Sequence, residues 1–186
     1  CWLVGPALAA PLEAEPPVAL TSPSAMLVEA GTGTVIFEKN ADERRQAASV
    51  TKLMTLLICF EELEAGNLHL DDSVTVSQEA AAQIGSQALL DAGAVYALEE
   101  LLHATIVASA NDAACALAEH IAGTEAAFAE LMNARAAELG MNNTYYTNAT
   151  ALPDDAQYTT ARDVATLSVE MCRHPDYFKH ASVWMD

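Results

Sequence analysis

A polar loop gives way to a helical pattern at residues 48–55, which read ASVTKLMT. Ser49 and Lys52 stand three residues apart in this segment, so on a helix their side chains lie on one face, about one turn apart. Apolar residues then recur at helical spacing as far as Gly66, which ends the pattern. A serine at a helix start also has its backbone N–H among the unpaired donors there, which favour developing negative charge. The segment therefore predicts a helix that begins with a hydroxyl and an amine side by side.

The chemistry available to this pair is nucleophilic catalysis. A serine hydroxyl is a weak nucleophile until a nearby base takes its proton. Lys52 serves as that base only when it is neutral, which requires burial or a neighbouring cation that lowers its pKa. The apolar neighbours Leu53, Met54 and Leu56 favour such a desolvated site. The alternative interpretation is a serine that caps a helix, followed by a solvated lysine.

A second motif, Ser109-Ala110-Asn111, lies in the break between two predicted helices. Residue counts indicate that the spacings S-x-x-K and S-x-N occur together by chance in about one such chain in twenty. Because each motif also falls at a helix boundary, coincidence is less common still. Ser49, Lys52, Ser109 and Asn111 are therefore the candidate site residues.

The remaining pattern predicts an α+β domain. Two β-rich runs, at residues 25–29 and 34–38, flank a glycine-containing turn, which indicates a hairpin. Residues 74–76 are a short strand candidate, and Ser77 is placed to cap a brief helix that runs to Ile84. Later helices are predicted up to Ser109, from Asn111 or Asp112 to Gly123, from Thr124 to Gly140, and from Thr160 to a stop at Pro175. A lone hairpin is only marginally stable, so it requires partner strands that this chain does not supply.

Composition excludes one broad class of partner. The 186 residues hold 26 Asp and Glu against 8 Lys and Arg, which gives a net charge of −18 and a pI near 4.3. Such a surface repels phosphate backbones, so no nucleic-acid partner is predicted. Apolar residues make up 52% of the chain and charged residues 18%, which indicates a packed core rather than disorder.

The cysteines and histidines do not show the spacing of a metal site. The five histidines include no H-x-x-x-H pair, and the four cysteines include no C-x-x-C pair. Cys59 and Cys115 fall in apolar helical patterns and are interpreted as small buried hydrophobic residues. No metal and no cofactor are therefore predicted.

The first residues favour export. Residues 1–10 are apolar and contain Ala7-Leu8-Ala9, which is typical of the end of a secretory signal peptide, so we interpret them as a signal-peptide remnant. A frayed apolar terminus is the alternative interpretation. Residues 11–23 are rich in proline and glutamate and are predicted to form an extended linker.

Three segments together resemble one enzyme family. Residues 48–55 (ASVTKLMT), 107–114 (VASANDAA) and 157–163 (QYTTARD) are similar to motifs of the D-alanyl-D-alanine carboxypeptidases, which are low-molecular-mass penicillin-binding proteins. The similarity runs from about Ala25 to Asp186. It implies an α+β fold of the DD-peptidase and serine β-lactamase type, with an N-terminal β-hairpin and a helical subdomain.

The resemblance also implies a role for each candidate residue. Ser49 would attack the carbonyl between the two D-alanines of a peptidoglycan stem peptide, and Lys52 would take its proton. Ser109 would relay that proton to the leaving amine, and Asn111 would hold the substrate amide. β-Lactam inhibitors would trap Ser49 because they mimic the D-Ala-D-Ala end. Such enzymes serve cell wall biogenesis and cell shape at the periplasmic or extracellular face of the bacterial cytoplasmic membrane.

One family motif is missing from this sequence. Relatives carry K-T-G on a strand beside the site, whereas Lys39, Lys52 and Lys179 are followed by Asn, Leu and His. The resemblance therefore implies that residues 24–186 are an incomplete catalytic domain, truncated before the remaining sheet strands and inactive alone. It also allows a membrane anchor beyond Asp186. A smaller departure is Ala97, where relatives tend to carry a capping threonine.

Two other functions compete with a carboxypeptidase. A serine β-lactamase shares Ser49 and Lys52 but needs a carboxylate that activates water, usually a glutamate in the loop after S-x-N. Residues 141–162 contain no glutamate, only Asp154 and Asp155. The other alternative is a non-catalytic peptidoglycan-binding relative, which would have no use for a nucleophile and its base.

Overall fold

A computed structural model describes residues 20–182 of the chain. Four strands lie at β1 (Ala25–Val28), β2 (Val35–Lys39), β3 (Ser73–Thr75) and β4 (Val95–Ala97). The α-helices within residues 20–182 are α1 (Lys52–Glu64), α2 (Gln78–Ala81), α3 (Leu98–Val107), α4 (Asn111–Ala122), α5 (Glu125–Glu138), α6 (Ala161–Met171) and α7 (Pro175–Ala181). The segment predicted to be a signal-peptide remnant, residues 1–10, lies outside the described residues, as does most of the predicted linker at 11–23.

The predicted hairpin is confirmed as an antiparallel pair of β1 and β2, with a bulge after Leu27. Its turn is held by the Glu29 carboxylate, which accepts hydrogen bonds from the backbone N–H groups of Gly31 at 2.9 Å and Thr32 at 2.6 Å. The strand β1 packs against α6. Leu27 and Ile36 remain 53% and 59% exposed. Within residues 20–182, no third strand joins this sheet.

A second small sheet pairs β3 with β4, with Val74 opposite Tyr96. The sequence predicted the first of these strands but not its partner, β4, which runs directly into α3 at Leu98 and has no turn or loop to separate it from the helical pattern. Ser77 caps α2 as predicted, and its Oγ accepts the Ala80 N–H at 2.9 Å. This helix ends at Ala81, short of the predicted Ile84.

The core is built around α4, which packs against α1, α2, α3 and α5. Small side chains on α4 let its neighbours approach closely, and its fully buried residues include Ala113, Ala114, Cys115, Leu117 and Ala118. Cys59 is fully buried as well, and burial raises the pKa of its thiol to about 12. Both predicted structural cysteines are therefore core residues. None of the helices between residues 20 and 182 has the length and apolar character needed to cross a bilayer.

The capping residues predicted for α5 and α6 are confirmed, whereas the role predicted for Pro175 is wrong. The hydroxyls of Thr124 and Thr160 accept backbone N–H groups at the starts of α5 and α6, each at 3.1 Å. The prediction that Pro175 ends the final helix is wrong, because α6 already ends at Met171 and Pro175 opens α7. Proline suits the first helical position because the N–H it lacks is unpaired there in any case.

Candidate active site

Ser49 lies on a 3₁₀ turn, Ala48–Thr51, which leads directly into α1. The Lys52 N–H donates to the Ser49 carbonyl and closes the turn, and the Ser49 side chain faces solvent. Ala48, immediately before it, has a φ of +45°. Left-handed backbone costs a residue other than glycine roughly 1–2 kcal/mol. The chain therefore bends sharply just before the candidate nucleophile and presents it at the surface.

Lys52 is buried, as the sequence hypothesis required. The residue is 3% exposed, and its Nζ has no hydrogen-bond partner among residues 20–182. Burial lowers the pKa of Lys52 to about 8, because desolvation disfavours the charged ammonium. About one molecule in ten then carries a neutral amine at pH 7, which is the form that accepts a proton. The competing interpretation of a solvated lysine is wrong.

The Ser109–Asn111 motif forms the break between α3 and α4. Ser109 is half-buried and has a φ of +53°. The N-cap of α4 is Ala110, so the expectation that Asn111 or Asp112 caps this helix is wrong. Asn111 is instead the first residue of α4 and is 4% exposed. Its Nδ2 donates to the Ile84 carbonyl at 2.5 Å, while its Oδ1 is buried without a partner in the described residues.

Asp112 was not among the predicted site residues, yet it positions this region. Its fully buried carboxylate accepts hydrogen bonds from the N–H groups of Ala88 at 2.9 Å and Leu90 at 3.0 Å. The neighbouring Asn111 N–H donates to the Ser86 carbonyl at 2.7 Å. The start of α4 therefore fixes the loop at residues 84–90. The sequence signal for this role was an aspartate next to the S-x-N motif. The sequence did not show which backbone N–H groups that aspartate would bind.

This loop also contains a glycine that the packing requires. Gly85 has a φ of +89°, and a Cβ on it would lie 3.0 Å from Asn111 Nδ2. Any side chain here would both strain the backbone and displace the asparagine amide. Leu89 of the same loop has a φ of +61°. Backbone strain of this kind gathers at functional sites, where the surrounding structure holds it in place.

Lys52 and Asn111 are the first residues of α1 and α4, two helices that pack against each other. One contributes a buried donor and the other a buried acceptor, and neither has a hydrogen-bond partner in the part of the chain that the structure describes. Such groups are rare in folded proteins and call for a functional explanation. Within residues 20–182, no hydrogen bond between side chains joins Ser49, Lys52, Ser109 and Asn111 to one another; Ser49 and Lys52 are joined only through the backbone bond that closes the turn. The structure gives each side chain a defined place but does not link the side chains directly.

Comparison with known proteins decides the family. Residues 10–183 match the family model of the D-alanyl-D-alanine carboxypeptidases. The chain belongs to this family. It is 39% identical over 163 residues to D-alanyl-D-alanine carboxypeptidase DacF of Bacillus subtilis, with 88% of the chain covered. The family resemblance and the fold class inferred from the sequence are thereby confirmed.

Solved structures agree with this assignment. The crystal structure of the D-alanyl-D-alanine carboxypeptidase DacD from Francisella tularensis matches with a TM-score of 0.85 and 41% identity over 88% of the chain. Penicillin-binding protein 5 from Haemophilus influenzae matches with a TM-score of 0.85 and 33% identity over 90%. The chain spans 42% of the Bacillus protein, 40% of the Francisella chain and 50% of the Haemophilus chain.

Proposed function

We propose that the protein is a serine-type D-Ala-D-Ala carboxypeptidase that removes the terminal D-alanine from peptidoglycan stem peptides. The observation that carries this proposal is the buried Lys52, whose pKa is lowered to about 8, one turn after the solvent-facing Ser49. A nucleophile and a base of suitable pKa at this spacing are what acyl transfer requires. Membership of the family supplies the substrate class.

In the proposed reaction, Ser49 Oγ attacks the carbonyl carbon of the D-Ala-D-Ala bond, and neutral Lys52 takes the hydroxyl proton. The carbon–nitrogen bond breaks, and the departing D-alanine amine receives a proton through Ser109. Water then hydrolyses the ester on Ser49. The Ser49 N–H lies at the start of a helical turn, where donors are unpaired, and would stabilise the developing oxyanion.

Asn111 is proposed to bind substrate. Its Oδ1 is a buried acceptor without a partner in the described residues, and its Nδ2 is held by the Ile84 carbonyl. An amide oxygen in this state is ready to accept an N–H from a substrate peptide or from the Lys52 ammonium. The anchored Nδ2 fixes which side of the amide faces the site.

The proposed partners are a stem peptide that ends in D-Ala-D-Ala and β-lactam inhibitors. We also propose that the protein is exported and acts at the periplasmic or extracellular face of the bacterial cytoplasmic membrane. The Ala-x-Ala pattern at Ala7–Ala9 supports export. The substrate supports the same location, because peptidoglycan lies outside the cytoplasm.

The β-lactamase alternative is disfavoured by the loop after Ser109. Both of its candidate carboxylates, Asp154 and Asp155, are exposed. Asp154 Oδ1 is occupied by the Ala156 N–H at 2.8 Å, within its own turn. A solvated carboxylate of this kind lacks the fixed position that a base needs to direct a water molecule at an ester.

The test is intact mass after incubation with a penicillin, on this chain and on a form extended past Asp186. A stable penicilloyl adduct that disappears in Ser49→Ala supports the proposal. Ser73→Ala is the matched control, because Ser73 lies on an exposed position of β3 and its loss should leave the adduct unchanged. Rapid loss of the adduct with turnover of penicillin would favour the β-lactamase. No adduct in either form would favour the non-catalytic binder.

A further inference from the structure

Glu99, His103 and His180 form a cluster that the proposed reaction does not use. Glu99 and His103 are four residues apart on α3, so they lie on one face of that helix. His180 comes from α7, which packs against α3. Sequence spacing concealed this cluster because His180 lies 77 residues after His103.

The ligand atoms of the three side chains converge. His103 Nε2 lies 2.7 Å from His180 Nδ1, and His180 Nδ1 lies 3.9 Å from Glu99 Oε1. One oxygen and two nitrogens all lie within 4.8 Å of one another. Two ring nitrogens that face each other at this distance must share something positive, either a proton or a metal ion, because two bare lone pairs repel.

We propose that Glu99, His103 and His180 bind a divalent transition-metal ion, with zinc as the best match. Zinc takes histidine nitrogen and carboxylate oxygen at about 2.0–2.2 Å, which sets tetrahedral donors about 3.3–3.5 Å apart. The ring nitrogens, now 2.7 Å apart, would open by about 0.6–0.8 Å, and the Glu99 oxygen, now 3.9 Å from His180 Nδ1, would close on it by about 0.4–0.6 Å and on His103 by more. Two imidazoles and one carboxylate leave a fourth position for water.

Packing holds the rings in place for this role. The His180 side chain is 12% exposed, and its ring centroid lies 5.9 Å from that of Phe60 on α1. The two imidazole centroids are 4.8 Å apart. Glu99 is 47% exposed, which leaves a route from solvent to the cluster. Ligands fixed by their surroundings bind a metal more tightly than ligands that must first be ordered.

A second cluster of carboxylates and a histidine in the same molecule is already occupied by a cationic side chain. Glu61, Glu170 and His174 also bring their ligand atoms within 4.8 Å of one another. There the guanidinium of Arg135 is the cation, with Nη2 2.6 Å from Glu61 Oε1 and 3.2 Å from Glu170 Oε1. Within residues 20–182, no Lys or Arg side chain forms an ion pair with the first cluster, and Lys179, the residue next to His180, pairs with Asp176.

The test is zinc titration of the untagged chain by calorimetry, after its accessible thiols have been blocked with iodoacetamide. We expect one zinc ion per chain, and at least tenfold weaker binding in His103→Gln and in His180→Gln. Glutamine keeps a hydrogen bond to the remaining imidazole but is a poor zinc ligand, so these variants should fold; circular dichroism checks this. His69→Gln, at a histidine whose side chain is 67% exposed, is the control that should bind as the parent does.

Cobalt provides an independent readout, because its visible absorption bands report the geometry and type of ligands. The parent chain should give a spectrum of nitrogen and oxygen ligation that both glutamine variants lose. The proposal is overturned if the parent binds no stoichiometric zinc, or if both variants bind as tightly as the parent. Neither outcome depends on penicillin acylation, so it leaves the proposed carboxypeptidase reaction untouched.

Discussion

Gln157 Nε2 donates a hydrogen bond to Thr51 Oγ1 across 3.2 Å, although the two residues are 106 positions apart in the sequence. Both side chains are buried. The opposite end of the amide, Gln157 Oε1, accepts the N–H groups of Thr147 at 3.0 Å and Asn148 at 3.3 Å. One side chain therefore ties the loop after α5 to the turn that carries Ser49.

Gln157→Ala should destabilise the protein by about 1–3 kcal/mol, because it leaves the buried Thr51 hydroxyl and the part-buried N–H groups of Thr147 and Asn148 without this partner. The free energy of unfolding in urea measures this. Gln78→Ala, at an exposed glutamine of α2, is the control and should change stability by less than about 0.5 kcal/mol. Equal effects of the two substitutions would contradict the anchoring role.

Asp112→Asn should loosen the loop at residues 84–90. The amide keeps one acceptor oxygen, so one of the two bonds to Ala88 and Leu90 is lost, at a cost of about 1–3 kcal/mol. Hydrogen exchange of a peptide that spans this loop should become faster. Asp71→Asn, at an exposed aspartate, should leave the exchange as it is. If the loop exchanges equally slowly in both variants, Asp112 does not hold it.

The rate of acylation by penicillin should rise with pH and level off above about pH 8. Only neutral Lys52 accepts the Ser49 proton, and burial lowers the pKa of Lys52 to about 8. The measurement is the rate of adduct formation by mass spectrometry between pH 6 and 9.5, in the form of the protein that acylates. A rate that is flat across this range would rule out Lys52 as the base.

Lys52 should also make stability depend on pH. Its pKa is about 8 in the folded state against 10.5 for an ordinary lysine, so between these values the unfolded chain holds more protons than the folded one. The contribution of Lys52 to the free energy of unfolding therefore rises with pH across this window, and below about pH 8 the buried ammonium destabilises the fold. The free energy of unfolding is measured for the parent and for Lys52→Met at each pH. The difference between the two isolates the contribution of Lys52, because both proteins have the same cysteine thiols, which in the unfolded chain also titrate in this range. A difference that stays constant from pH 7 to 10 would contradict it.

Ala97→Ser should stabilise the protein by about 0.5–1 kcal/mol. Ala97 is the N-cap of α3 in extended backbone, and its N–H already donates to Glu100 Oε2 at 2.9 Å. A serine hydroxyl would complete the reciprocal capping box with Glu100. Thermal unfolding measures the gain. Ala110→Ser is the contrasting control, because Ala110 caps α4 in a fully buried position and the added oxygen should give no gain.

The elements that the sequence predicted well are those whose signals are local. Ser77, Thr124 and Thr160 each accept an N–H three residues further on, so a short window contains both partners. The hairpin turn is equally local, since Glu29 bonds residues two and three positions away. The prediction for Pro175 was wrong because a proline can end one helix or begin the next. The preceding residues decide which role it takes, and here they have already left the helical conformation.

The sequence by itself determined the family and supplied the candidate site residues: a serine and a lysine one turn apart, and a second serine and an asparagine at a helix break. Tertiary structure alone decided that Lys52 is desolvated, that Asp112 and Gln157 anchor the loops beside it, and that His103 meets His180. The physical reason is how far apart in the sequence the interacting residues lie. A helical cap or turn is a contact between near neighbours, whereas burial of a charge, and convergence of ligands from α3 and α7, depend on segments that only the folded chain brings together.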